Sequence, residues 1–324
     1  MTTIRRFRTR PRRNRLAAFG AAALLTAVAA CSSSPPQSAP PSSPFPASVA
    51  GAPTAGAATT APRGAPPAAY AWPDGGQAAL LVDGQAVPVS SGETKPTPTA
   101  SVAKVMTAYV FLKAKPLAPG ASGPTFTISA AEANRYGERA RRSESLTPVK
   151  AGEGFTQRRA LEALMVVSAN NIAHEIARWV DGGDAAFVAR MNSTARELGM
   201  TATTYTDPSG FDRTTVSTAV DQVKLFTAAM RDPAFAEIAG VRTYTAPGNR
   251  TQPNGNTLLG KDGVIAGKTG FTTPAGANLV FAAEREINGV KRRVIGAVMA
   301  QHTGNTAAAA IEASDELIRS VGEG

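Results

Sequence analysis

Residues 96–114 read PTPTASVAKVMTAYVFLKA, and they place a serine and a lysine three positions apart at the start of an apolar run. Apolar side chains dominate residues 102–112, so the run predicts a helix buried in the protein core. A charged ammonium in such a helix is costly unless it is paired or neutral. Lys104 therefore either points outward or is held in its neutral form.

Ser101 and Lys104 form a candidate catalytic pair. Residues at i and i+3 share one face of a helical turn, which brings the lysine nitrogen within reach of the serine hydroxyl. A serine nucleophile with a lysine base needs this geometry. The alternative is that Ser101 is only the N-cap of the helix, and a single Ser-x-x-Lys spacing is a weak motif when taken alone.

A second motif lies in residues 158–180, which read RRALEALMVVSANNIAHEIARWV. This stretch predicts one helical run, with Thr156 as a plausible N-cap. It contains the sequence Ser168-Ala169-Asn170.

A third motif lies in residues 263–301, which predict three antiparallel strands. The last two strands are joined at Asn288-Gly289, a strong hairpin turn. Lys268, Thr269 and Gly270 lie in the first strand. Because Gly270 has no side chain, a substrate backbone could approach closely along this strand.

The order Ser-x-x-Lys, Ser-x-Asn and Lys-Thr-Gly is that of penicillin-binding proteins and class A β-lactamases. The segments LMVVSANN, FVARMNSTARELGMTATTYTDPSGFD and STAVDQVKL extend the likeness. Over about residues 75–320 the chain resembles the serine D-Ala-D-Ala carboxypeptidases, the low-molecular-mass penicillin-binding proteins. The resemblance implies an α/β fold of the β-lactamase/transpeptidase-like type, with an antiparallel sheet flanked by helices plus a mainly helical subdomain.

The resemblance also implies that Ser101, Lys104 and Ser168 are catalytic. Ser101 would attack the carbonyl carbon between two D-alanines while neutral Lys104 takes its proton. Burial and the nearby ammonium of Lys268 would lower the pKa of Lys104. Ser168 would relay a proton to the leaving amine, and the backbone N–H groups of Ser101 and Phe271 would form the oxyanion hole. Water would then hydrolyse the ester.

The substrate-binding residues implied by the resemblance are Asn170, Lys268, Thr269, Gly270 and Phe271. Asn170 would bond the substrate peptide and orient Lys104, while Lys268 and Thr269 would bind the terminal carboxylate. The expected partners are peptidoglycan stem peptides and, as covalent inhibitors, β-lactams. No cofactor and no metal is expected.

Two features depart from the family pattern. Asn171 follows Ser-x-Asn where many members have aspartate. Many members also use an arginine shortly after the last strand to bind the substrate carboxylate. Here the first arginine after the last predicted strand is Arg319. The carboxylate would then be bound by Lys268, Thr269 or a strand arginine such as Arg293.

Two other functions stay open, a class A-like β-lactamase and a lipid-tethered muropeptide- or β-lactam-binding protein with little turnover. Class A β-lactamases activate the deacylating water with a glutamate that lies between the second and third motifs. The corresponding stretch here is RELGMTATTYTDPSGFDRTT (residues 196–215), and its single glutamate is Glu197. Glu197 lies within a helical pattern over residues 185–198, where a solvated position is expected.

Neither histidine provides a rival site. His174 follows Asn170 by four residues and fits a partly exposed surface position. His302-Thr303-Gly304 imitates the third motif, but it lies at the end of a predicted strand and predicts a turn. No cluster of His, Cys and Asp has zinc-ligand spacing. Residues 135–145, RYGERARRSES, predict a solvated loop near the active-site rim.

Residues 1–30 have the layout of a lipoprotein signal peptide. Seven arginines and no acid lie in residues 1–15, so most of the +10 net charge is in this segment. No basic stripe with interleaved aromatics exists elsewhere, so nucleic-acid binding is not expected. The only cysteine, Cys31, ends the sequence VAAC, which resembles the bacterial lipobox and implies lipidation.

Residues 31–70 are rich in Pro, Ser, Ala and Gly and predict a disordered tether behind the lipidated cysteine. Residues 71–324 are then the penicillin-binding D,D-carboxypeptidase domain. The protein is expected to be exported and lipid-anchored at the outer face of the cell membrane, within the cell envelope.

Overall fold

The computed structural model describes residues 70–92 and 94–322. The predicted signal peptide, Cys31 and residues 32–69 of the tether lie outside the described residues, so these assignments stay predictions. Within the described ranges, no helix combines the length and the apolar character that crossing a membrane requires.

The strands of the described residues are β1 (Gln77–Val82), β2 (Val89–Ser90), β3 (Thr97–Pro98), β4 (Thr125–Thr127), β5 (Gly154–Thr156), β6 (Val216–Ser217), β7 (Thr243–Thr245), β8 (Thr251–Pro253), β9 (Val264–Thr272), β10 (Gly276–Ile287) and β11 (Val290–Gln301). The α-helices are α1 (Lys104–Ala114), α2 (Ala130–Arg141), α3 (Gln157–Val166), α4 (Asn170–Asp181), α5 (Asp184–Glu197), α6 (Ala219–Ala229), α7 (Pro233–Ala239) and α8 (Ala308–Ser320). A short 3-10 helix, Ala100–Ala103, leads directly into α1.

The central sheet has the strand order β2-β1-β11-β10-β9, and each neighbouring pair is antiparallel. The hairpin between β10 and β11 turns at Asn288 and Gly289, which both have positive φ, as a tight turn of this kind requires. The three antiparallel strands predicted over residues 263–301 are therefore confirmed. β9 is the edge strand of this sheet, so it has a neighbouring strand on one side only.

Both faces of the sheet are buried. Because side chains alternate between the two faces along each strand, each strand contributes to a core on either side. On β10, Val280 and Ala282 join the core shared with the helices α1 and α3–α7. Leu279 and Phe281 face the opposite way and join a second core that contains Leu317 of α8. The arrangement confirms the predicted α/β class, with an antiparallel sheet flanked by helices and a mainly helical region that contains α2–α5.

The helix α1 passes through the centre of the larger core, as its apolar sequence predicted. Val105, Met106 and Phe111 have no solvent exposure. Ser101 does not cap this helix, because it lies inside the 3-10 helix and neither helix start has a side-chain cap bond. The N-cap interpretation of Ser101 is wrong, and its hydroxyl is available for other contacts.

The helical run predicted over residues 158–180 is interrupted. Thr156 does cap it, since its side chain accepts a hydrogen bond from the backbone N–H of Arg159. The chain then leaves the helix after Val166 and starts α4 at Asn170. Between the two helices Ser168 adopts a left-handed conformation with φ of 61°. Strain of this kind persists only where surrounding contacts enforce it, and it is common at functional sites.

The loop predicted over residues 135–145 is wrong for residues 135–141, which are helical, although most residues of the stretch are exposed as predicted. Residues 130–141 form α2, capped by Ser129, and two of the charged residues in the stretch are buried. Arg139 of α2 and Glu144, which follows the helix, are 7% and 8% exposed. The buried pair is stabilised by an ion pair between Arg139 and Glu144, whereas the other charged residues of the stretch are exposed.

We expect Gly296→Ala to destabilise the sheet. Gly296 of β11 lies directly across from Phe281 of β10, and a Cβ atom at this position would overlap the buried Phe281 ring. Overpacking of this kind typically costs about 1–3 kcal/mol. Urea unfolding should show this loss, whereas Gly75→Ala, where nothing lies within 4 Å of the added atom, should leave the unfolding midpoint unchanged. Equal midpoints for both variants would contradict the packing argument.

Candidate active site

Ser101 and Lys104 meet at the junction of the 3-10 helix and α1. The Nζ atom of Lys104 lies 2.9 Å from the Oγ atom of Ser101. Lys104 is fully buried, while Ser101 is half-buried and lines a cleft. The distance is that of a hydrogen bond along which a proton can move.

The pKa of Lys104 is well below its usual value. The largest cause is burial, which disfavours the charged form, and the nearby ammonium of Lys268 adds to it. The carboxylates of Asp207 and Glu144 act in the opposite direction. The lowered pKa that the sequence predicted for Lys104 is therefore found, with burial and the charge of Lys268 as its two causes.

A loop built around Asp207 holds the other side of Lys104. The Asp207 carboxylate accepts four hydrogen bonds, from the backbone and hydroxyl of Ser209, the backbone of Phe211 and the hydroxyl of Thr215. This turn aims the carbonyl oxygen of Ser209 at Lys104, whose Nζ donates to it at 2.7 Å. The amine is thus held between a serine hydroxyl and a fixed carbonyl.

Two glycines let the chain segments around Ser101 approach closely. Gly210 has φ of 76°, and a Cβ atom there would overlap the carbonyl oxygen of Ala100. On β9, a Cβ atom at Gly270 would lie 3.0 Å from the backbone nitrogen of Ser101 and 2.9 Å from that of Val102. Neither position has room for a larger residue, so both segments are locked against the 3-10 helix.

Lys268 is buried on the same face of β9 as Gly270, because alternate residues of a strand share a face. Its side chain is 1% exposed, and burial lowers its pKa to about 7. Its Nζ donates to the carbonyl oxygen of Thr269 at 2.7 Å. The hydroxyl of Thr269 lies beside Gly255, where an added Cβ atom would be 3.1 Å away.

The second motif contributes two unsatisfied polar atoms. The buried Oγ of Ser168 and Oδ1 of Asn170 make no hydrogen bond to the described residues. The Nδ2 atom of Asn170 donates to Glu144 at 2.9 Å. Asn170 was predicted to orient Lys104, but the structure shows no hydrogen bond between them. Lys104 donates instead to Ser101 and to the carbonyl oxygen of Ser209.

A cleft of about 460 Å³ brings several of these residues together. Its lining includes Ser101, Glu144, Asn170, Gly210, Phe211, Arg213, Phe271 and Thr272. Lys104 lies behind the cleft floor, bonded to Ser101. The predicted residues Ser101, Asn170 and Phe271 therefore share one open space, with the edge strand β9 as one wall.

Arg293 is not part of this site. It lies opposite Glu284 near the hairpin end of β11, and its backbone N–H donates to Asp83. Thr269 pairs with Leu279, five residues along β10 from Glu284, so the separation is about 17 Å. The suggestion that Arg293 binds a substrate carboxylate is wrong.

The two histidines lie away from Ser101. His174 is bonded through Nδ1 to Asp184 at 2.7 Å. His302 is exposed and follows the end of β11 at Gln301, in the turn that the sequence predicted. Glu197 is exposed at the end of α5, as expected.

Sequence reasoning missed Glu144 and the structural role of Asp207. An Asp-Pro-Ser-Gly sequence does signal a turn in which the aspartate bonds backbone N–H groups, so Asp207 could have been found. Glu144 has no comparable local signal. Its partners Arg139 and Asn170 lie 5 and 26 residues away in the chain.

We expect Lys268→Met to stabilise the fold around neutral pH. The pKa of Lys268 is about 7 in the folded protein and 10.5 in the unfolded chain. Between these pH values the unfolded chain therefore binds more protons than the folded protein does. Its contribution to the unfolding free energy is therefore most unfavourable below about pH 7 and disappears as pH rises towards 10.5. The difference in unfolding free energy between variant and wild type should shrink across this window.

Denaturant unfolding at several pH values measures this effect. Lys113→Met is the matched control, since Lys113 is exposed on α1. A Lys268→Met variant with the same pH dependence as the wild type would contradict the lowered pKa of Lys268.

Comparisons with known proteins identify the family of this chain. The family model described as D-alanyl-D-alanine carboxypeptidase matches residues 74–303. A D-alanyl-D-alanine carboxypeptidase of Mycobacterium tuberculosis is 40% identical over 154 residues, covering 45% of this chain and 52% of that protein. A D-alanyl-D-alanine endopeptidase of Escherichia coli is 30% identical over 204 residues, covering 57% of this chain and 58% of that protein.

The chain thus spans between half and three-fifths of the length of these relatives. Among solved structures, a penicillin-binding protein homologue of Mycobacterium tuberculosis superimposes with a TM-score of 0.65 at 29% identity, covering 81% of this chain and 95% of that one. The family match covers well over half of the sequence and contains all three motifs. The chain belongs to the D-alanyl-D-alanine carboxypeptidase family.

Proposed function

We propose that this protein is a serine-type D-Ala-D-Ala carboxypeptidase that removes the terminal D-alanine from peptidoglycan pentapeptide stems. The observation that carries the proposal is the 2.9 Å contact between Ser101 Oγ and the Nζ of a fully buried lysine. A neutral Lys104 can accept the serine proton, which converts an ordinary hydroxyl into a nucleophile.

The reaction begins when Ser101 Oγ attacks the carbonyl carbon of the bond between the two D-alanines. The Oγ proton passes to Lys104 Nζ, and negative charge develops on the carbonyl oxygen. The backbone N–H groups of Ser101 and Phe271 stabilise this oxyanion. Support comes from Gly270, which lets β9 approach the backbone nitrogen of Ser101 closely.

Collapse of the tetrahedral intermediate breaks the bond to the leaving D-alanine, whose amine nitrogen takes up a proton. Ser168 relays this proton, consistent with a buried Oγ that makes no hydrogen bond to the described residues. Water then attacks the ester on Ser101, which releases the shortened peptide and restores the serine. No external cofactor is needed for any of these steps.

The substrate peptide lies along the edge strand β9, where backbone groups are not paired within the sheet. The Oδ1 atom of Asn170 accepts a hydrogen bond from a substrate N–H. The terminal carboxylate is bound by Thr269 and Lys268, assisted by Arg213, which lines the same cleft as Ser101. Arg213 thus replaces Arg293, which the sequence offered as one of three alternatives for binding the carboxylate.

Slow deacylation of a β-lactam separates this proposal from the β-lactamase alternative. Asp207 is held by four hydrogen bonds, and Glu197 lies exposed in a different groove. The Oε2 atom of Glu144 accepts from Arg139 and Asn170. Neither Asp207 nor Glu197 is placed to activate a water at the ester, and Glu144 is paired with Arg139, so a bulky penicilloyl group should persist.

The test combines a fluorescent penicillin with an acyl-D-Ala-D-Ala peptide. The wild type should form a long-lived covalent adduct and release D-alanine, and Ser101→Ala should do neither while keeping its melting temperature. Ser145→Ala, at an exposed serine on the same cleft, should still be labelled. Labelling that survives in Ser101→Ala would overturn the proposal, and penicillin turnover of about ten per second or more would favour a β-lactamase.

The proposed location is the outer face of the cell membrane, with the domain tethered through a lipid on Cys31. The support is the sequence VAAC, which follows a basic and then an apolar segment, and the Pro/Ser/Ala-rich stretch behind it. A lipid on this cysteine would place the enzyme next to the peptidoglycan that it trims.

We expect Cys31→Ala to release the protein from the membrane fraction or to block its processing, because the thioether cannot form without the thiol. Ser32→Ala, at the next residue, is the control and should stay with the membranes. Fractionation of cells that express each full-length chain measures the outcome. Unchanged membrane association of Cys31→Ala would show that another element anchors the protein.

A further inference from the structure

Glu144 is a buried carboxylate that takes no part in the proposed reaction. Its side chain has no solvent exposure, although it follows a charged helix. Arg139 Nη1 donates to its Oε2 atom at 3.1 Å, and Arg142 Nη2 lies 3.4 Å from its Oε1 atom. Two guanidinium groups thus stabilise a charge that burial alone would disfavour.

The hydrogen bond from Asn170 to Glu144 fixes the orientation of the Asn170 amide. A carboxylate can only accept, so the NH₂ end of the amide must face Glu144, as it does at 2.9 Å. The Oδ1 atom must then point the other way. This atom is buried and makes no hydrogen bond to the described residues, which leaves it as an acceptor for a ligand in the cleft that Asn170 shares with Ser101.

The segment that carries Glu144 is attached firmly to the start of α4. The backbone N–H of Asn170 donates to the carbonyl oxygen of Ser145 at 2.8 Å. The Asn171 side chain donates to the carbonyl oxygen of Thr147 at 2.8 Å and accepts from its backbone N–H at 3.3 Å. These contacts hold the Glu144 carboxylate at a constant distance from Asn170.

Glu144 also acts on Lys104 through its charge. Three charged groups influence the buried amine: Lys268 lowers its pKa, whereas Asp207 and Glu144 raise it. Asp207 is fully engaged in its own loop, as described above. The Glu144 carboxylate therefore opposes Lys268 and helps to set the pH at which Lys104 becomes neutral.

We propose that Glu144 is a positioning residue for acyl transfer, which turns the carbonyl oxygen of Asn170 towards the substrate N–H and balances the charge of Lys268 at Lys104. The inference rests on the proposed function and adds a residue to it. Glu144 acts through Asn170 and Lys104, and it neither donates nor accepts a proton in the proposed reaction steps.

The test uses the rate of covalent labelling by a fluorescent penicillin as a function of pH, with the full chain. Glu144→Gln removes the charge and offers an NH₂ group that can reverse the Asn170 amide. We expect its labelling rate to fall about tenfold to a hundredfold, as misplacement of a binding group does. The acid limb of its pH profile should move to lower pH, because one of the two anions that raise the pKa of Lys104 is gone.

Glu144→Asp separates the two effects, since it keeps the charge but shortens the side chain. Its labelling rate should fall because the shorter carboxylate cannot reach Asn170 and Arg139 together, while its acid limb should stay near that of the wild type. Glu132→Gln is the matched control, because Glu132 is the other buried carboxylate that pairs with Arg139. It should lower the melting temperature without changing the rate or the acid limb.

Two results would overturn the inference. The first is a Glu144→Gln variant with wild-type rate and wild-type acid limb. The second is a Glu132→Gln variant that reproduces both changes, which would assign them to the Arg139 network as a whole. Both results presuppose that the wild type is labelled, and a wild type that forms no adduct would instead refute the proposed function on which the inference depends.

Discussion

The site depends on the removal of one ammonium group from water. Lys104 is fully buried at the start of a core helix, 2.9 Å from Ser101, and burial is the main reason that its pKa is low. Much of the surrounding structure serves this one constraint. The apolar faces of α1 exclude water, and the Asp207 loop supplies a fixed carbonyl acceptor for the amine. The chemical result is a lysine of lowered pKa next to a serine hydroxyl.

Charged groups of both signs near this amine have opposite effects on its pKa. The buried ammonium of Lys268 lowers the pKa of Lys104, and the carboxylates of Asp207 and Glu144 raise it. Each of these groups is itself costly to bury, so each is tied down by hydrogen bonds. The burial of these charges costs stability and lowers the pKa of Lys104, a compromise that is common at catalytic sites.

The sheet contributes in a different way, through its edge. β9 ends the strand order, so its outer side can receive an extended peptide without breaking any pairing of the sheet. Gly270 brings this strand against the backbone of Ser101. Ser101, Asn170 and the edge strand therefore border a single cleft of about 460 Å³, although they come from three distant segments of the chain.

The sequence by itself determined those features that depend on neighbouring residues. Apolar runs and turn residues predicted the buried helix α1 and the hairpin at Asn288-Gly289, and the three-residue spacing predicted that Ser101 and Lys104 meet. Only the tertiary structure decided the features that depend on contacts across the chain. It broke the predicted helix at Ser168, buried Glu144 between partners from two other elements, and placed Arg293 at the far end of the sheet. Local spacing constrains a turn of helix or a hairpin, but the burial of a charge depends on partners that no local pattern reveals.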